Sequence, residues 1–126
     1  MVFLPEACDF ISSSNEETRE KSETLDGEFI SNFKKLASSL SIWISIGSFH
    51  RKLAGHDDRL FNSHVILDNL GDIKCVSDKL HLFEINLKKE NGETLKLKES
   101  DYTMPSKSFN LPIETPIGLI GTCIVS

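Results

Sequence analysis

Apolar positions follow two distinct periods along this chain. Phe29, Ile30, Phe33, Leu36, Ala37 and Leu40 recur at helical spacing and form one stripe, with Lys34 and Lys35 on the outer side. That pattern predicts a helix over 29–40, capped by Asp26 or Thr24. Ile42, Ile44 and Ile46 then alternate on one face of a strand that Gly47 ends. Residues 61–67 read as a strand, 68–72 as a turn containing Asn69 and Gly71, and 73–76 as the returning strand of a hairpin. At the front, Val2-Phe3-Leu4 predicts a short buried strand stopped by Pro5, with Glu6 just beyond its carboxyl end. The remaining segments are less periodic. Residues 12–28 read as a solvated loop or frayed helix and 50–59 as a charged loop. Residues 80–83 read as extended or irregular chain, and 88–110 as a surface excursion. Ile117–Val125 is a last apolar run, predicted to be a buried strand. Strand, helix, strand, hairpin, strand is an α/β order.

Composition narrows the classes of function. A length of 126 residues suits one domain, and 39% hydrophobic with 26% charged residues is a globular balance. A net charge of -5 argues against a nucleic-acid partner, since phosphate binding needs a basic patch. No apolar run reaches the roughly 18 residues of a membrane span. The N-terminus lacks the basic start of a signal peptide, so a cytoplasmic protein is expected, with a mitochondrial form possible. Cys8, Cys75 and Cys123 are odd in number and widely spaced, which fits reduced thiols better than a disulfide framework or a zinc site. The histidines (50, 56, 64, 81) show no close ligand spacing, and neither a metal nor a cofactor is expected. His64, inside an apolar strand, reads as a hydrogen-bonded structural residue, and Trp43 as packing. Taken singly, Glu6 reads as a loop carboxylate and Lys79 as a surface lysine.

The combination of segments says more. Val2-Phe3-Leu4-Pro5-Glu6-Ala7-Cys8-Asp9-Phe10-Ile11 resembles the first catalytic motif of the nitrilase, or carbon–nitrogen hydrolase, superfamily. Lys79-Leu80-His81-Leu82-Phe83-Glu84 resembles its second motif. Between them, Ile42-Trp43-Ile44-Ser45-Ile46-Gly47-Ser48-Phe49-His50 is similar to a strand of that family. Thr115-Pro116-Ile117-Gly118-Leu119-Ile120-Gly121 is similar to the approach to the third motif. The wording points to the branch of deaminated glutathione amidases and nitrilase–fragile-histidine-triad fusions.

The resemblance implies a four-layer αββα sandwich and hydrolysis of a small acid amide through a cysteine, a glutamate and a lysine. Glu6 would be the general base and Lys79 the stabiliser of the oxyanion, while Glu99 would hold the lysine and orient the substrate. A thioester would form, release ammonia and then be hydrolysed. Full-length relatives are expected to be homo-oligomers acting on a small amide.

Departures qualify that expectation. Alignment puts Val125 where the nucleophilic cysteine belongs and Ser126 where a tyrosine belongs. Cys123 comes two residues early, a shift of about 6–7 Å along a strand, and reads as a buried small residue rather than a nucleophile. Asp78, just before the lysine, could strengthen or divert it. The family's first strand and first helix, and everything from the nucleophile turn onward, have no counterpart. The chain is therefore expected to be a truncated, inactive partial domain of roughly half the sandwich. Without the second sheet, an inner apolar face would lie open and the isolated chain would aggregate or stay molten. The alternative role is a non-catalytic piece that assembles with an intact homologue.

Overall fold

A computed structural model describes every residue except 54, 56–58 and 126. The elements are β1 (Val2–Phe3), α1 (Asn15–Lys21), α2 (Glu28–Leu40), β2 (Ile44–Arg51), β3 (Phe61–Leu67) and β4 (Ile73–Asp78). There follow β5 (Glu84–Lys88), β6 (Thr94–Lys98), a 3-10 turn (Glu99–Asp101), β7 (Ile113–Thr115) and β8 (Gly118–Ile120). The charged loop expected over 50–59 lies partly outside the described residues, as do His56 and Ser126.

One sheet carries the fold, in the order β1-β2-β3-β4. β1 runs parallel to β2, and the other two pairings are antiparallel. The predicted hairpin is present. Asp68 Oδ1 accepts from the backbone N–H groups of Leu70 and Asp72, both at 2.9 Å, which shapes the turn. Gly71 takes φ +85° there, and an added Cβ would sit 2.4 Å from the Lys34 carbonyl oxygen of α2. The α/β class expected from sequence is the observed one, with α2 laid on one face of the sheet.

Helix α2 buries Ile30 and Ala37 against Ile44, Ile46, Phe49, Val65 and Leu67, and Phe29 and Phe33 pack partly against them. The stripe is narrower than its sequence suggests, because Leu36 and Leu40 are exposed. Neither Asp26 nor Thr24 caps the helix. Gly27 occupies the cap position, and the Glu23 carboxylate accepts from the Phe29 N–H at 2.9 Å. Ser41, in the left-handed conformation, closes the other end, with its N–H turned back to the helix carbonyls. Residues 15–21 do form a short helix, started by the Ser14 side chain accepting from the Glu17 N–H.

Several strand expectations need correction. Gly47 does not end β2. The strand continues to Arg51, with its register shifted between Ile46 and Phe49. That bulge keeps Ile44, Ile46 and Phe49 all in the core. β1 is an exposed edge strand, not a buried one. Residues 84–98 form the β5–β6 hairpin, with Ile85 opposite Leu97 and Leu87 opposite Leu95. The run 117–125 is not a buried strand. Only Gly118–Ile120 is extended, and Ile117, Leu119 and Val125 are exposed.

The central sheet itself is not left open. Ser45 and Ile66, paired on the face away from Val65 and Leu67, are buried as well. The exposed apolar residues lie instead on β1, on the β5–β6 hairpin and along 109–125. Among the described residues, no helix is long and apolar enough to cross a membrane.

Candidate active site

Glu6 reaches its place through an unusually close passage of backbone. Leu4 donates its N–H to the Ser45 carbonyl (2.9 Å), and a Cβ on Gly47 would lie 2.2 Å from the Leu4 carbonyl oxygen. Only a residue without a side chain lets the chain after β1 cross β2 so closely. Ala7 then adopts φ 50° and donates its N–H to Ser48 Oγ at 2.8 Å, which fixes the turn bearing Glu6.

Lys79 follows the last residue of β4. Its own N–H donates to the Asn62 carbonyl (2.9 Å) and its carbonyl accepts from the Ser106 N–H (2.8 Å). Far from being a surface lysine, it is buried, with its side chain 4% exposed. Nζ lies 2.9 Å from Glu6 Oε1 and 3.1 Å from Glu99 Oε2. Glu99, buried in the 3-10 turn, also accepts the Phe83 N–H at 2.8 Å. The structure thus brings together Glu6, Lys79 and Glu99, three residues spread over most of the chain.

Asn62 completes the cluster and was not singled out from the sequence. Its Nδ2 donates to Glu6 Oε1 (2.8 Å) and to Glu99 Oε1 (3.1 Å). The only signal was a polar residue in the apolar β3 run, which had no stated partner until the strands were paired.

Electrostatics follow from this crowding. Burial alone would lower the Lys79 pKa, but the hydrogen bonds and charges of Glu6 and Glu99 outweigh it and hold the ammonium above its ordinary value. The Tyr102 phenol is pushed up by burial and by the negative charges of Glu99 and Glu6, with Lys79 opposing them. Asp78 does not compete for Lys79. Both its oxygens accept from Arg51 Nη2 at 2.9 Å, and Oδ1 also accepts from Ser63 Oγ at 2.5 Å.

Glu6, Asn62, Lys79 and Glu99 line a hollow of about 690 Å³ together with His50 and Tyr102. His50 is held rigidly there. The Asp9 carboxylate accepts its backbone N–H (2.8 Å) and lies 3.1 Å from Nδ1, and Phe10 stacks on the ring at 4.8 Å. Burial would raise the Asp9 pKa, but the His50 hydrogen bonds and charge bring it below the usual carboxylate value.

None of the three thiols lines this hollow. Cys8 Sγ points at the Ser48 carbonyl (3.2 Å), and its pKa is raised by burial and by Asp9, which suppresses the thiolate. Cys75 is buried beside Ser77. Cys123 is exposed, contrary to the buried role expected for it, and lines a separate hollow of about 300 Å³ with Ser77, Phe109 and Asn110. Val125 borders both that hollow and the Glu6–Lys79–Glu99 one. His64 is the structural residue expected, with Nε2 2.9 Å from Ser45 Oγ and its pKa lowered by burial. Among the described residues, no group of three or more His, Cys, Asp or Glu is placed to hold a metal ion.

Known proteins resemble this chain over nearly all of its length. The chain is 40% identical over 96% of its length to a nitrilase and fragile histidine triad fusion protein of Drosophila melanogaster, covering 25% of that protein. It is 37% identical over 98% of its length to the deaminated glutathione amidase of Bos taurus, covering 37% of it. The crystal structure of the Caenorhabditis elegans NitFhit protein superposes with a TM-score of 0.85 at 32% identity, over 98% of this chain and 29% of that one. The chain therefore spans between a quarter and two fifths of the length of these relatives. Its fold is a portion of the nitrilase αββα sandwich. With a match to the carbon–nitrogen hydrolase family that runs over residues 1–126, the chain belongs to that family.

Proposed function

We propose that this chain carries the base and the cation of a carbon–nitrogen hydrolase site that takes a small acid amide, as the relatives' name deaminated glutathione amidase suggests. One observation carries the reading: Lys79 Nζ is clamped between two carboxylates from distant parts of the chain at the wall of one hollow. In this reading Glu6 is the general base, Lys79 faces the developing oxyanion, and Glu99 fixes Lys79. A thiol would attack the amide carbon and pass its proton to Glu6. The proton would then go to the departing ammonia or amine, leaving a thioester for water to hydrolyse.

The side chain available where that thiol belongs is Val125, which can neither attack nor form a thioester. The chain as it stands is therefore read as an amide-binding but non-turning-over member of the family. Equilibrium dialysis with glutaramate tests the binding. Retention by the unaltered chain, reduced at least tenfold in Lys79→Met and in Glu6→Gln, supports it. Retention unchanged in both variants contradicts it.

A second reading is assembly with an intact homologue, or with a second copy as family homo-oligomers would do. The exposed edge strand β1 and the exposed apolar residues of 109–125 favour it. Co-purification with an intact homologue is its test. A reducing, cytoplasmic compartment suits the three unpaired thiols.

A further inference from the structure

Strand β6 supplies part of the wall of the hollow. Lys96, Leu97 and Lys98 all line it, and the strand runs straight into Glu99. Strand rise places Lys96 about 10 Å of backbone before Glu99, with Lys98 on the same face. The two lysines are not equivalent. Lys98 stands opposite Glu84 in the hairpin, with Nζ 3.8 Å from its carboxylate. Lys96 stands opposite Asn86 and has no ion pair among the described residues.

The other charges on the hollow are accounted for. Glu6, Lys79 and Glu99 are bound to one another. His50 is tied to Asp9. Asp101 is the one further acid lining the hollow, and the Arg19 guanidinium lies beside it, 3.4 Å from its carbonyl oxygen. Two lysines of β6 therefore border the same hollow as a cluster that has an excess negative charge, and the hollow is wide enough for a small molecule.

We infer that Lys96 reads the carboxylate of an acid amide whose amide end lies at Lys79, with Lys98 as a weaker second donor. The inference rests on the amide-binding reading and adds to it the group that distinguishes an acid amide from a neutral one. An ammonium-to-carboxylate hydrogen bond is roughly twice as strong as a neutral one, and β6 ties its position to the register of Glu99. The substrate class selected is a chain with a carboxylate several bonds away from the scissile amide.

Equilibrium dialysis of the full chain against glutaramate and against its uncharged methyl ester provides the test. The acid is expected to bind about tenfold more tightly than the ester, the scale of one charge-assisted contact. Lys96→Met should bring that ratio to about one. Lys89→Met, outside the hollow on the same hairpin, should leave the ratio as it was. Equal affinity for acid and ester in the unaltered chain, or a ratio indifferent to Lys96→Met, overturns the inference while the amide-binding reading stands. Failure of both compounds to bind overturns the two together.

Discussion

Lys79 is the residue on which the cluster turns, because it pairs with two carboxylates, one of them buried. Replacing it with Met leaves the buried Glu99 charged without its cation, and removal of one partner from a buried pair costs about 3–5 kcal/mol. Glu6 is 42% exposed and recovers hydration, so the loss should fall at the lower end of that range. Urea unfolding of Lys79→Met against Lys98→Met, whose partner is exposed, measures it. The second variant should change stability by less than about 0.5 kcal/mol. The same cluster sets a pH dependence. Since the folded pKa of Lys79 is raised, its contribution is whole below the unfolded value of about 10.4 and is lost as pH climbs through the folded value. Unfolding free energies between neutral and strongly alkaline pH should show that loss only at the alkaline end, and should not show it in Lys79→Met. At this scale the sequence was legible only in combination. Glu6, Lys79 and Glu99 were found through motif order, although each alone read as surface. Asn62 was not found, because its role appears only when the turn after β1 and the 3-10 turn close over β3.

At the scale of elements, α2, β3 and the β3–β4 turn were readable because periodicity and turn chemistry agree there. β2 was misread because Gly47 served as a close-approach site, and a lone glycine in a strand looks the same whether it ends the strand or lets another backbone pass. The β5–β6 hairpin was missed although Asn91-Gly92 sits between Ile85, Leu87 and Leu95, Leu97, a recognisable alternation around a turn pair. Abundant lysines hid it. Gly47→Ala should push the Leu4–Pro5 backbone away and cost about 1–3 kcal/mol, as overpacking against rigid neighbours does. Because Glu6 follows directly, this variant should also weaken glutaramate binding. Native stability with unaltered binding would contradict the close passage. The hairpin should behave differently from the sheet. A two-stranded ribbon with Leu87, Leu95 and Leu97 exposed has little to hold it. Amide hydrogen exchange should be fast across 84–98 and slow in β2 and β3, and equal protection would contradict this.

As a whole, the molecule joins one buried layered core to an edge strand, the β5–β6 hairpin and a segment over 109–125 that expose much apolar surface. That distribution corrects the expectation of an open central sheet face and moves the exposed apolar surface to the edges of the fold. At micromolar concentration the chain should sediment as an associated species, and a clean monomer would contradict it. The same view of the whole accounts for the chemistry. A family fold brings Glu6 and Lys79 to one hollow, yet Cys123 lines the other, and Val125 borders both. Ammonia release from glutaramate by the purified chain tests this most directly. The account predicts none above the buffer rate; sustained release abolished by Cys123→Ala would contradict it.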